Sequence, residues 1–285
     1  MRNHEPKAIH LRLRSQITMH HTPHTTQGMS TSTDGLPVRH LFEVPIHALS
    51  LPEVLKVVDD AIHCRQRMLI GVVNAAKMVN MRRDSQLAKA VLSADLVLAD
   101  GMAVVWACRL LGRRLPERIA GIDLMEHLLE HCQDHGHRVY CLGATQEVLM
   151  EAVREMRRRY PGIQIVGQHH GYFSSDEEPQ VIAEIAACRP DVLFVAMSSP
   201  RKEDLLARWA DRMNVPVCHG VGGSFDVWAG KVKRAPRLWQ RMGMEWLYRV
   251  IQEPRRMLRR YVETNAIFCW MVLHEAVRQL ACRWR

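Results

Sequence analysis

Along the chain, short apolar runs alternate with longer stretches whose apolar residues return every three or four positions. The runs fall at 69–73, 96–99, 139–142, 163–166, 192–196 and 215–218, and the amphipathic stretches at 76–93, 102–111, 122–134, 145–158, 177–188 and 201–213. Strands alternating with helices of this length predict right-handed crossovers and a mostly parallel sheet covered on both faces, an α/β body of Rossmann-like type. Ahead of it, 41–46 reads as one short strand. Ser50-Leu51-Pro52-Glu53 then supplies a capping box with proline in the first turn, opening a helix to about Cys64. Past Gly230 the pattern changes: Leu238, Trp239, Met242, Trp246, Leu247 and Val250 form a helical stripe across 237–250, and Pro254 suits the first turn of a following helix. Residues 1–38 show no periodicity and read as a disordered leader.

Charge sharpens this division. The chain of 285 residues carries 39 Lys and Arg against 30 Asp and Glu, a net +9. The last 55 residues hold 13 basic and 4 acidic side chains, so the whole excess lies in 231–285. Four of the seven tryptophans are there too, at 239, 246, 270 and 284. Aromatic and aliphatic residues beside dense arginine describe a segment suited to an anionic membrane surface. The expected organisation is therefore a leader over 1–38, an α/β domain over 39–230 and a basic helical, membrane-associating appendage over 231–285. The body is expected to fold without the appendage.

The eight cysteines form no CxxC pair, which fits a reducing compartment better than a disulfide scaffold or a zinc knuckle. No cationic start leads into an apolar segment, and the longest apolar run near the end, 266–273, is too short to cross a bilayer.

In an open α/β sheet, ligands bind beyond the carboxyl ends of the strands. Three runs end in polar or glycine-rich residues: Asn74 after the first, Asp100-Gly101 after the second, and His219-Gly220-Val221-Gly222-Gly223-Ser224-Phe225-Asp226 after the last. Asp100-Gly101 is also ordinary turn chemistry, and the glycines are equally compatible with a plain loop. They do let backbone amides approach a ligand closely, as phosphate sites require. GxGxxG, Walker and Asp-x-Asp motifs are absent. A bound diphosphate would then be neutralised by arginines, without a metal. His127, His131 and His135 align on one helical face with Cys132 and His137 nearby, but no carboxylate partner is evident in sequence and no metal is assigned.

The residues Asn74, ADLVLADGMAVV (94–105), ERIAGIDL (117–124), YPGIQIVGQHHGYF (160–173), RPDVLFVAMSSPRKE (189–203), GVGGSFDVWAGKVKRAP (220–236) and EWLYRVIQEPRR (245–256) together resemble the WecG/TagA/CpsF glycosyltransferases. The resemblance runs from about 40 to 262. It implies an inverting hexosyl- or N-acetylhexosaminyltransferase moving sugar from a UDP-sugar donor to a polyprenyl-diphosphate-linked acceptor. It further implies work on the cytoplasmic face of the cell membrane, in surface or exopolysaccharide synthesis.

By position, Asp100 corresponds to the family's catalytic base, Asn74 to a neighbouring active-site amide and Arg118 to the arginine of its ER-x-x-G motif. Tyr172 and Asp226 correspond to positions near the uridine, with Gly222 and Gly223 beside them, and Arg249, Arg256 and Arg259 to tail arginines that close over the donor diphosphate. Two departures bear on substrate: Lys202 puts a cation on the donor side where a neutral amide is common, and Val72 replaces a frequent polar residue. A carboxylate taking the acceptor's proton and cations steadying the departing UDP suffice for a single displacement with no cofactor. A nucleic-acid-binding protein is the alternative from charge alone. The apolar striping of the tail and the charge-neutral body weigh against it, and the missing fingerprint weighs against a nicotinamide oxidoreductase.

Overall fold

The computed structural model describes residue 33 and residues 35–283, so all but a few positions of the expected leader lie outside the described residues. Every described residue belongs to one compact unit. The chain begins with a hairpin, β1 (Val38–Leu41) and β2 (Val44–His47), where the sequence pattern predicts one strand. Phe42 and Glu43 both take positive φ, +51° and +71°, which gives a tight two-residue turn between antiparallel strands. Phe-Glu is not usual turn chemistry, and the reversal is therefore invisible in the sequence pattern.

The α/β body follows as α1 (Leu51–His63), β3 (Met68–Val73), α2 (Ala75–Arg83), α3 (Ser85–Leu92), β4 (Leu96–Ala99), α4 (Met102–Leu110), α5 (Gly121–His135), β5 (Arg138–Gly143) and α6 (Gln146–Arg159). It continues with β6 (Gln164–His169), α7 (Glu178–Cys188), β7 (Val192–Ala196), α8 (Arg201–Met213), β8 (Val217–Gly220) and α9 (Ser224–Trp228). At the start of α1 the Glu53 carboxylate accepts from the Ser50 backbone N–H at 2.7 Å and its hydroxyl at 2.6 Å, closing the expected capping box. The stretch predicted as one helix over 76–93 is two, because the Asp84 carboxylate accepts from the N–H groups of Gln86 and Leu87, both at 3.0 Å, and starts α3 afresh.

Six strands form a parallel sheet in the order β4-β3-β8-β7-β5-β6. Except at the edge strand β6, which is only half-buried, both faces are covered, as near-continuous apolar strands require. One core holds Leu124, Leu128, Leu149 and Phe225 with Ile70 and Phe194, and another holds Leu142, Ile182, Leu193 and Leu205. A third, around Val79, Val97 and Val104, includes Phe268, Met271 and Val272 from the tail.

The tail comprises α10 (Arg237–Arg241), α11 (Glu245–Gln252) and α12 (Pro254–Arg283). The helix predicted across 237–250 breaks at Gly243, where φ is +67° and a Cβ would stand 2.8 Å from Met102 and Trp106 of α4. The rings of Trp246 and Tyr261 lie 5.9 Å apart. On one straight helix they would be about 22 Å apart, so the chain turns sharply at Glu253–Pro254. This removes the single helical face on which spacing alone would align Arg249, Arg256 and Arg259. The α12 helix runs along α2, with Phe268 edge-on to Phe42 at 5.8 Å and an Arg83–Glu263 ion pair at 2.8 Å. Among the described residues no helix is long and apolar enough to cross a membrane.

Candidate functional site

The carboxyl ends of β3, β4 and β8 converge on one carboxylate. Asp100 follows β4, and its N–H donates to Val73 O at 2.9 Å, continuing the sheet ladder by one residue. Its Oδ2 accepts from the Asn74 side-chain amide at 3.2 Å, and its Oδ1 from the Gly121 N–H at 3.0 Å. Each oxygen keeps a further lone pair, so the held carboxylate can still accept a proton. Asn74 is itself fixed, because its Oδ1 accepts from the Lys77 N–H at 3.0 Å and caps α2. A side chain at position 101 would come within 3.3 Å of Asn74 Cβ, which makes glycine the fitting neighbour of the carboxylate.

Beneath this pair sits a polar layer that sequence spacing does not reveal. Glu203 Oε1 accepts from Lys202 Nζ at 2.7 Å and from Lys77 Nζ at 2.9 Å, with all three side chains largely buried. Burial pushes the Glu203 carboxyl up, but the two ammonium groups outweigh it and hold it below the usual carboxylate range. Burial, reinforced by Lys77, pulls Lys202 below the usual lysine range. Lys202 is only 7% exposed, so its cation is spent on Glu203 inside the protein. Its stem lies so close to Gly220 that a Cβ there would stand 2.9 Å from Lys202 Cε.

His219, at the end of β8, is fully buried; its Nε2 bonds Gly121 O at 3.0 Å, and burial lowers its pKa. The neutral imidazole thereby braces the same residue whose N–H holds Asp100. Lys77 and Glu203 are site neighbours missed in sequence, where a pair 126 positions apart leaves no periodic trace, while His219, which sequence marks only as ending the last apolar run, gains its contact with Gly121 here.

Arg118 lies at one wall. Its guanidinium bonds Glu245 Oε2 at 3.0 Å and Asp123 Oδ2 at 3.2 Å, while Arg234 bonds the other Asp123 oxygen. This network ties the start of α5 to α11, so Arg118 anchors the tail to the body. A cleft of about 290 Å³ opens beside it, lined by Met102, Arg118, Arg237 and Gln240.

Gly222, with φ +56° and open space around its Cα, and Gly223 form the turn after β8 that leads to Asp226 in α9. Tyr172 stands 71% exposed after β6, on a loop whose Gly171 N–H donates to Ala144 O at 2.8 Å and lies against Gly143. The loop carrying Tyr172 leaves β6 and packs over the end of β5, which stands two strand spacings, roughly 10 Å, from the end of β8 where the loop carrying Asp226 begins. Arg249 on α11 and Arg259 on α12 are exposed; the side chain of Arg256 lies outside the described residues.

Residues 39–281 match the model of the glycosyl transferase WecG/TagA/CpsF family. The chain is also similar to the N-acetylglucosaminyldiphosphoundecaprenol N-acetyl-beta-D-mannosaminyltransferase of Bacillus spizizenii, at 41% identity over 169 residues. That match covers 59% of this chain and 65% of the relative, so it spans just under two thirds of the relative's length.

Proposed function

Because the chain belongs to the glycosyl transferase WecG/TagA/CpsF family, we propose that it transfers a hexose or N-acetylhexosamine, with inversion, from a UDP-sugar to a polyprenyl-diphosphate-linked saccharide. The observation that carries this reading is the Asp100 carboxylate, held by Asn74 and Gly121 at the carboxyl edge of the sheet. The Bacillus relative, named as a sugar transferase on a diphosphoundecaprenol acceptor, supports the acceptor class.

In the step proposed, the acceptor hydroxyl attacks the donor's anomeric carbon and gives its proton to Asp100, while the bond from that carbon to the UDP oxygen breaks. The departing diphosphate gathers negative charge, which in this reading Arg237 at the cleft and Arg249 and Arg259 of the tail offset. No Asp-x-Asp carboxylate pair exists to hold a metal against the diphosphate, so transfer is expected to persist in excess EDTA. Tyr172, the Gly222–Gly223 turn and Asp226 supply the uridine side.

The acceptor is a lipid, and α12 offers a surface for reaching it. Leu258, Val262, Trp270, Leu273, Val277 and Leu280 are exposed along it, while Phe268, Met271 and Val272 face the core. Together with exposed Leu238, Met242, Trp246 and Ile251 and the tail's arginines, this face suits peripheral docking on the anionic cytoplasmic leaflet.

The test is incubation of the full chain with polyprenyl-diphosphate-linked N-acetylglucosamine in anionic vesicles and a panel of UDP-sugars. Transfer of one sugar to the lipid, with release of UDP, is expected. UDP release without a glycosylated lipid, or no reaction with any donor, would contradict the proposal.

A further inference from the structure

At the amino ends of the strands, opposite the end that carries Asp100, three ligand-bearing side chains meet from three elements. Asp59 lies on α1, His131 on the last turns of α5, and His137 immediately before β5. Gly136, with φ +70°, ends α5 in a left-handed cap, and the His137 N–H then donates to Cys132 O at 2.9 Å, which folds His137 back beside His131. Asp59 Oδ1 stands 3.2 Å from His131 Nε2 and 3.5 Å from His137 Nε2. All three atoms lie within 4.8 Å of one another, and all three residues are half-buried.

Two features distinguish this cluster from an ordinary ion pair. His137 Nε2 is buried and makes no well-formed hydrogen bond, although it faces the carboxylate. The spacing also suits a shared ion: ligands at about 2.0–2.1 Å from a tetrahedral zinc are roughly 3.3 Å apart, which the 3.2 and 3.5 Å separations match. Further imidazoles surround the set. The His135 ring lies tilted against His131 with centroids 4.1 Å apart, and His63 Nδ1 stands 3.6 Å from the second Asp59 oxygen. His127, which shares a helical face with His131 and His135 in sequence, instead pairs with Glu130 at 3.8 Å. The helical spacing marks this segment, but the carboxylate beside it comes from another helix.

We propose that Asp59, His131 and His137 bind a divalent transition-metal ion of zinc's class that clasps α1, α5 and the start of β5. Two imidazoles and one carboxylate are a borderline ligand set that favours zinc over magnesium or calcium. Three protein ligands leave a fourth position for water or for the neighbouring His135. An ion there stabilises the fold by mass action and takes no part in sugar transfer, whose residues lie at the carboxyl ends of the strands.

The full chain, stripped with EDTA and titrated with zinc chloride, tests this by calorimetry and thermal melting. The expected result is a single zinc site of micromolar affinity or tighter, together with a zinc-dependent rise in Tm. His131→Ala, His137→Ala and Asp59→Asn should each weaken binding by about tenfold or more, and His127→Ala should leave it unchanged. Cobalt(II) in the unmodified chain should give the strong visible bands of a tetrahedral site, a readout that no variant's folding can obscure. Absence of a zinc-dependent Tm shift, unchanged zinc binding in a His131→Ala/His137→Ala double variant, or only the faint spectrum of octahedral cobalt would overturn the proposal.

Discussion

Asn74 and Asp100 stand 26 positions apart in the chain and meet at 3.2 Å, amide nitrogen to carboxylate oxygen, across the ends of two neighbouring parallel strands. The same amide side chain caps α2 through its oxygen. Asn74→Ser separates the two duties, since serine remains a good cap but cannot reach out with an amide donor. Stability by urea unfolding is expected to change by less than about 1 kcal/mol. Turnover should fall on the order of 10–10²-fold as the carboxylate loses its fixed position. Wild-type turnover in Asn74→Ser would remove this amide from the mechanism.

Glu203 compensates two buried ammonium groups at once. Glu203→Gln strands both and is expected to cost about 3–5 kcal/mol, the usual penalty for breaking a buried pair. Lys202→Gln leaves the Lys77–Glu203 bond in place and should cost less. Chemical denaturation of the two variants side by side checks the order, and a Glu203→Gln protein as stable as Lys202→Gln would contradict it.

Stability should also respond to mild acid. Burial holds the imidazoles of both His47 and His219 below the ordinary histidine range. The unfolded chain therefore binds more protons than the folded one once the pH drops through the unfolded histidine value of about 6.5, and stability falls below that point. The urea midpoint is expected to drop between about pH 7.5 and about pH 5.5, and His219→Gln, which keeps a donor toward Gly121 O, should flatten the slope. A slope left unaltered by His219→Gln would show that this imidazole is not the proton-linked group.

Much of this architecture was legible in the chain because parallel strands buried on both faces must be apolar runs, and crossover helices must be amphipathic. The misreadings have two causes. At Phe42–Glu43 the residues carry no turn chemistry, while at Asp84 and Gly243 a capping aspartate and a breaking glycine are present but a periodic apolar pattern runs on through them and hides the break. In the site, Asn74, Asp100 and the glycines after β8 were legible because they end apolar runs. Lys77 and Glu203 were not, because a buried ionic layer is defined by contacts between α2 and α8, and the bond from His219 to Gly121 was equally out of sight although His219 itself ends the last run. Arg118 was legible as a motif residue, but its pairing with Asp123 and Glu245 was not, and that pairing makes it an anchor for α11.

Variants at neighbouring residues of α12 would separate folding from the membrane attachment proposed for this helix. Phe268 is 3% exposed and packs into the core, while Trp270 is 61% exposed. Phe268→Ala is expected to cost about 3–5 kcal/mol. Trp270→Glu should leave the melting temperature nearly unchanged yet reduce co-sedimentation with anionic vesicles. Equal vesicle binding by Trp270→Glu and the parent chain would dissociate the exposed face of α12 from membranes.

The central claim, that Asp100 takes the acceptor's proton, is tested most directly by the transfer rate of Asp100→Asn, with UDP affinity measured in parallel. Asparagine preserves the size of the side chain and a carbonyl acceptor for the Gly121 N–H, but cannot serve as the base. The account predicts unchanged UDP affinity and a turnover lowered by about 10²–10⁴-fold, the range for loss of a general base. Near-normal turnover in Asp100→Asn would contradict it.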